Sequence, residues 1–292
     1  MRILLAVSGG IDSMYLAYRA PEFFPGASFA VAHCNFHLGG KESDGDEAFV
    51  RQWCTEHDIE LFVNDFNTEE YASAHGVSIE MAARELRYSW FRDLCRDYGF
   101  DALAVAHNAN DNAETLILNL LRGTGSRGLR GMSSERILRP MLGISRTEIK
   151  DWMTTHGYPW REDSSNNENT FKRNRIRNEV FPVFAQINPS FLRTLRRDME
   201  HFSQVDDIAE DYYAQAKEIV IVNGAVSVTE LKKFKHWEYL LWRLMEEAGL
   251  SEETFGKLVD LLKSGRTISG KVFESPTHIV SIKLKSILIR KR

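Results

Sequence analysis

Ile3-Leu4-Leu5-Ala6-Val7-Ser8-Gly9-Gly10-Ile11-Asp12-Ser13 decides how this chain is read. Residues 3–7 form an apolar run short enough for a buried strand, and the glycine pair ends it at once. Residues 12–20 then carry Met14, Leu16 and Ala17 at helical spacing. The same rhythm continues outward. Strands are expected at 29–33, 60–64 and 102–106, and helices at 47–57, 79–98 and 111–122. Strand alternating with helix predicts an α/β fold, a parallel sheet with helices on both faces. Ligands of such sheets gather at the C-terminal ends of the strands. The residues after Val7, Ala32 and Ala106 are therefore where chemistry is sought.

Past Pro140 the pattern changes. A helix is expected at 145–156, followed by a polar stretch at 163–169. Long helical regions at 189–217 and 231–262 lead to short strands at 272–274, 279–283 and 287–290. The predicted division is a catalytic domain at 1–188 and a mostly helical domain at 189–292 that ends in short strands. No internal repeat or low-complexity tract interrupts it.

Composition bounds the function classes. With 292 residues, 43% apolar and 27% charged, the chain suits an ordinary globular protein of about two domains. Aromatic residues at 11% exclude disorder as its main character. The opening apolar run is too short for a signal-peptide core or a membrane span, so no membrane partner is expected. Cys34, Cys54 and Cys95 form no C-x-x-C pair. They are expected as free thiols of a reducing cytoplasm, not as disulfides or ligands of zinc or iron–sulfur. The net charge of −4 hides two regions: residues 41–70 carry ten acids against two bases, and residues 121–200 fifteen bases against nine acids. The basic region contains Lys172-Arg173-Asn174-Arg175-Ile176-Arg177. It reads either as a solvated helix face or as a surface for a polyanion.

Ser8–Ser13 reads as a phosphate cradle. Two glycines let backbone N–H groups approach an anion, two hydroxyls add donors, and the helix N-terminus adds partial positive charge. No Walker A motif exists in the chain. Without that lysine, the loop suits a pyrophosphate that leaves better than a γ-phosphate that is transferred. Asp12 within an anion site calls for a cation, and Mg²⁺ with one or two carboxylates, waters and phosphates fits. Gly123-Thr124-Gly125-Ser126-Arg127-Gly128 matches the dinucleotide fingerprint in letters, but it follows a helix instead of a strand.

After the fourth strand comes His107-Asn108-Ala109-Asn110-Asp111-Asn112-Ala113-Glu114-Thr115. Asp111 and Glu114 lie three apart on one helix face. They read either as first-turn acids that complement the helix dipole or as a receptor for an ammonium group.

Ser8–Ser13 resembles the SGGxDS signature of the PP-loop ATP pyrophosphatases. Within that superfamily the chain is similar to the tRNA(Ile)-lysidine synthetases. The resemblance rests on His33-x-Asn35-x-His37-Leu38, Ala83-Arg84-x-x-Arg87-Tyr88, His107-x-x-x-Asp111-x-x-Glu114-Thr115 and Arg122-Gly123-Thr124-Gly125. Arg139-Pro140-Met141-Leu142, Glu162-Asp163-Ser164-Ser165-Asn166 and Arg173-Asn174-Arg175-Ile176-Arg177 complete it, up to about residue 182. The resemblance implies a carbon–nitrogen ligase that consumes ATP, with Mg²⁺. Its partners would be L-lysine and the isoleucine tRNA with a CAU anticodon. It implies that Ser8, Gly9, Gly10, Ile11, Asp12 and Ser13 hold the ATP phosphates and that Asp111 and Glu114 bind lysine. Arg87 and one of Arg175 or Arg177 would act with Asp12 near the activated base, Arg122 and Arg173 would contact tRNA, and the second domain would serve tRNA binding. It further implies a homodimer. Two departures stand out: Leu38-Gly39-Gly40 where arginine is common, and a chain shorter than those with a further C-terminal domain. The alternatives weighed are another PP-loop tRNA-modifying enzyme, such as a thiolase, and a non-catalytic adenine-nucleotide-binding module.

Overall fold

The structure is a computed structural model that describes residues 1–38, 40–132, 137–162, 172–264 and 269–292. Gly39 and the motif residues Asp163, Ser164, Ser165 and Asn166 lie outside the described residues. The chain divides into two compact units, Met1–Ser203 and Gln204–Arg292. The division falls within a long helix, beyond the expected break near residue 188.

In the first unit β1 (Arg2–Ala6) leads to α1 (Ile11–Phe23), β2 (Ser28–Asn35) to α2 (Lys41–Glu56), and β3 (Glu60–Asp65) to α3 (Thr68–His75) and α4 (Ile79–Tyr98). β4 (Ala102–Ala104) then leads to α5 (Ala109–Arg122) and α6 (Ser126–Leu129), and β5 (Ile137–Leu138) to α7 (Arg146–Thr155). α8 (Lys172–Arg175), a π-helical turn (Ile176–Val180), α9 (Phe181–Ile187) and the start of α10 (Phe191–Val220) follow. The sheet order is β3-β2-β1-β4-β5, with every pairing parallel. Leu4 of β1 stands opposite Ala30 on one side and Leu103 on the other. The chain winds outward from β1 to β3, then returns to the other side of β1. The topological switch, and with it the expected ligand crevice, lies between β1 and β4.

The period-2 alternation of β1 fills both faces. Ile3, Leu5 and Val7 pack with Met14 and Leu16 of α1, Val50 and Trp53 of α2, and Ile149 and Met153 of α7. Leu4 packs on the other face with Ala30, Ala32, Leu103 and the α4 residues Phe91 and Leu94. A central parallel strand covered on both sides must be apolar throughout, which is why the opening run does not alternate in sequence.

α2 begins at Lys41, ahead of the expected 47, because its first turns are polar; Glu42 and Asp44 there suit the helix dipole. α3 was not expected from periodicity; its start is marked by Asn67, whose side chain accepts the Glu70 N–H. Gly123–Gly125 links α5 to α6 and the rest of the stretch lies in α6, in keeping with a setting after a helix.

The second unit continues α10 and adds β6 (Ile221–Val222), β7 (Ala225–Ser227), α11 (Val228–Leu231), α12 (Trp237–Met245), α13 (Glu252–Lys263), β8 (Val272–Glu274), β9 (His278–Lys283) and β10 (Ser286–Lys291). Its antiparallel sheet runs β6-β7-β10-β9-β8. Leu240, Leu241, Leu258, Val280, Ile282 and Ile287 form a core of its own. Among the described residues no helix is long and apolar enough to cross a membrane.

Candidate active site

The loop after β1 is fixed from within. Ser13 Oγ accepts the N–H groups of Ser8 and Gly9, each at 3.1 Å, and donates to the Gly10 carbonyl at 2.9 Å. Gly9 sits at φ +95°, where a Cβ would strain the backbone. Gly10 is the N-cap of α1 and supplies no side-chain cap, so the first N–H groups of that helix face the loop. The N–H groups of Ser8 and Gly9 are thus spent on the loop itself. The Ser8 hydroxyl lies 3.2 Å from Ser13 Oγ and accepts the Gly10 N–H at 3.4 Å, beside the start of α1.

Asp12 connects this loop to α5. Asn108 donates from Nδ2 to Asp12 Oδ1 at 3.0 Å. The same Asn108 caps α5: its Oδ1 accepts the Asp111 N–H, and its own N–H donates to Asp111 Oδ2. This reciprocal capping box explains an N-x-x-D signature present in the sequence but given no role there. Burial raises the Asp12 carboxyl above its ordinary value, against the pull of Arg146. Among the described residues no three His, Cys, Asp or Glu side chains gather as a metal cluster. A single desolvated carboxylate beside a phosphate loop still fits Mg²⁺, which keeps waters and phosphate oxygens as its other ligands.

Asp111 and Glu114 do share one face of α5, and both meet Arg177. Its Nε donates to Glu114 Oε1 at 2.8 Å and its Nη2 to Asp111 Oδ1 at 3.2 Å. Arg177 is brought there by its neighbour, because Ile176 in the π-helical turn packs on Ala113 of α5 and on Phe181. Glu114 is fully buried, and its Oε2 has no hydrogen-bond partner. Burial raises its carboxyl, while Arg177 opposes the shift. Two carboxylates with one guanidinium leave a net charge of −1 and one unsatisfied buried oxygen.

A cleft of about 500 Å³ runs from the loop to this group; Ser8, Gly10, Ile11, Asp12, Ser13, Asp111 and Arg177 all line it. Three further cations, Arg146, Lys150 and Arg161, line it as well and had no role in the sequence reading. The Arg161 backbone N–H donates to the Gly9 carbonyl at 2.9 Å, and its Nε donates to Asp46 Oδ1 at 2.9 Å. The i, i+4 spacing of Arg146 and Lys150 behind a Ser145-x-x-Glu148 capping box is the signal that could have found those two.

Arg87 lies beside a second cleft, half apolar, at the ends of β1, β2 and β4; Ser8, Asp12, Cys34, Phe36, Tyr88 and His107 also line it. Its guanidinium stands 5.0 Å from the centre of the Phe36 ring. His107 accepts at Nδ1 from Arg139 Nε, and burial with nearby guanidinium groups, Arg173 and Arg84 among them, holds its pKa down at about 4. His33 donates from Nδ1 to the Val7 carbonyl, and Asn35 donates to Glu47, so this motif braces the strand ends. Arg175 is not brought to the cleft. It is exposed and pairs with Glu179 at 3.4 Å. Arg122 is exposed in the last turn of α5, and Arg173 is half-buried, its charge felt by Glu114. The cysteines are all free, and burial pushes the Cys34 thiol up to about 12 and Cys54 to about 11. Neither is a thiolate at neutral pH.

Comparison with known proteins identifies the family. The PP-loop domain family matches residues 1–184, and the TilS substrate binding domain matches residues 223–292. A tRNA(Ile)-lysidine synthase of Parabacteroides distasonis is 40% identical over 94% of this chain and 63% of its own length. Another from Chlorobaculum tepidum is 36% identical over 91% of this chain and 85% of its own. The chain thus spans about three fifths of the length of the first of these relatives. Among solved structures, a U34-tRNA thiolase of Methanococcus maripaludis with its [4Fe-4S] cluster superposes with a TM-score of 0.57 at 18% identity. It covers 69% of this chain and 72% of the thiolase chain and establishes the shared fold alone. With the PP-loop cleft, the Asp111–Glu114–Arg177 group and these matches together, the chain belongs to the tRNA(Ile)-lysidine synthase family.

Proposed function

We propose that this chain ligates free L-lysine to the wobble cytidine of the CAU anticodon of isoleucine tRNA at the expense of ATP. The observation that carries the proposal is the Asp111–Glu114–Arg177 group. A buried site of net charge −1 with an unpartnered Glu114 oxygen suits one ammonium group, which would neutralise it and satisfy that oxygen.

In this reading Ser8, Gly10, Ile11 and Asp12 hold the triphosphate, with Gly9 and Ser13 shaping the loop, and the half-apolar second cleft takes the nucleoside. The 2-carbonyl oxygen of cytidine attacks the α-phosphorus, and the α–β bond breaks to release pyrophosphate. The lysine ε-amine, after losing a proton, attacks C2; the C2–O bond breaks and AMP leaves with the oxygen. Donors aimed at the departing group stabilise the charge it gains. Mg²⁺ at Asp12 would offset phosphate charge. Of the two arginines carried over together, we propose Arg177 for the site, with Arg87 beside the base. Arg122 and Arg173 belong to the tRNA side. A homodimer and a cytoplasmic location rest on the family resemblance; sedimentation and fractionation check them.

The decisive assay measures AMP formation with lysine or isoleucine tRNA omitted in turn. Both omissions should abolish it. AMP formation that ignores lysine would remove this proposal, and AMP binding without turnover would favour a non-catalytic nucleotide module.

A further inference from the structure

We propose that Arg146 and Lys150, one turn apart on α7, grip the β- and γ-phosphates of ATP and then the pyrophosphate that leaves. This rests on the reading of the cleft as the ATP site. Four cations line that cleft, and two are committed to carboxylates: Arg161 to Asp46, and Arg177 to Asp111 and Glu114. The side chains of Arg146 and Lys150 make no ion pair among the described residues. Both project into the same cleft as the loop.

Their placement is rigid. Ser145 and Glu148 close a capping box on the first turn of α7, and the Arg146 N–H donates to Asn110 Oδ1 at 3.0 Å. That bond sets α7 in register with α5, which carries the acidic group. Ile149 and Met153, on the adjoining flank of α7, are fully buried in the core shared with β1 and α1 and hold the helix in place. The chemistry calls for such cations. The loop lacks a Walker lysine, and two of its N–H groups are spent on Ser13, so it offers few donors to a strongly charged leaving group. Arg146 also lies near enough to Asp12 to be foremost among the groups that oppose the rise in its pKa, which puts its charge beside the loop.

The test uses the full chain and two probes, inorganic pyrophosphate and AMP, each titrated calorimetrically with Mg²⁺. Arg146→Ala and Lys150→Ala should each weaken pyrophosphate binding about tenfold, the loss of one charge-assisted contact. AMP binding should stay unchanged, and Arg146→Lys and Lys150→Arg should restore most of the pyrophosphate affinity. Unchanged pyrophosphate binding in the double alanine variant overturns the proposal. So does an equal loss of both probes that the charge-conserving variants fail to repair. These titrations need neither lysine nor tRNA. Lysine-independent AMP formation by the unsubstituted chain would sink the ligase reading while leaving the phosphate grip to stand or fall separately.

Discussion

Glu114, behind the cleft-lining Asp111 and Arg177, has one oxygen bound to Arg177 and the other buried without a partner. Glu114→Gln should keep the shape, remove the charge and raise the lysine KM roughly 10- to 100-fold, as expected for a charge-assisted contact. The KM for ATP should hardly move; equal effects on both would assign Glu114 to structure. Asp111→Ala should raise the lysine KM too, but it also opens the α5 capping box, at a stability cost of about 1 kcal/mol. Asp111→Asn in a thermal melt separates the two effects. Burial raises the Glu114 carboxyl, so its charge is lost at a higher pH than that of an ordinary glutamate. Lysine KM should therefore climb on acidification before exposed carboxylates titrate, and Glu114→Gln should remove that climb.

Capping boxes decide much at the scale of elements. Asn108-x-x-Asp111 starts α5 and Ser145-x-x-Glu148 starts α7, and both signatures are visible in the sequence. Ser145 accepts the Glu148 N–H, while Glu148 accepts both the Ser145 N–H and its hydroxyl. Ser145→Ala should cost about 1 kcal/mol in chemical denaturation, and it should also loosen the helix that presents Arg146 and Lys150. A variant as stable as the parent would show that the cap contributes nothing. The π-helical turn at 176–180 has no comparable signature. Its extra residue per turn arises where Ile176 must reach the α5 core and Arg177 the two carboxylates, a demand set by packing.

Two charge effects act on the whole molecule. His107, held at about 4, stays neutral where an unfolded histidine, near 6.5, takes up a proton. The unfolded chain then binds more protons, so stability falls as pH drops from about 6.5 toward 4, by roughly 2–3 kcal/mol for a shift of this size. Asp12 and Glu114, raised by burial, work in the opposite sense at lower pH. His107→Gln isolates the histidine, and it should flatten the pH dependence of the melting temperature. The regional charge makes a second prediction. If Arg122 and Arg173 meet tRNA phosphates, replacing each with Ala should reduce the salt slope of tRNA binding by about one. Arg177→Ala should act mainly on lysine instead. Equal slopes in all three variants would return the basic stretch to a solvated face.

Most of the frame was legible residue by residue. The run 3–7 read as a buried strand, and the loop 8–13 as its continuation at the C-terminal end of a parallel sheet, which is where the structure has them. The sequence also put Asp111 and Glu114 on one helix face, because three residues nearly complete a turn. What periodicity cannot express is contact between segments far apart in the chain. Arg177 reaches the acids from 63 and 66 residues away, while Arg175, two positions earlier, turns outward to Glu179. Nor could spacing show that Asn108 ties α5 to Asp12, or that Arg161 bonds the Gly9 carbonyl. By itself the sequence determined the strand–helix alternation, the glycine loop after β1 and the acidic pair, because these depend on local period and turn chemistry. Only the tertiary structure decided which cations face the cleft and which of them are already neutralised, because that depends on how separate elements pack around β1.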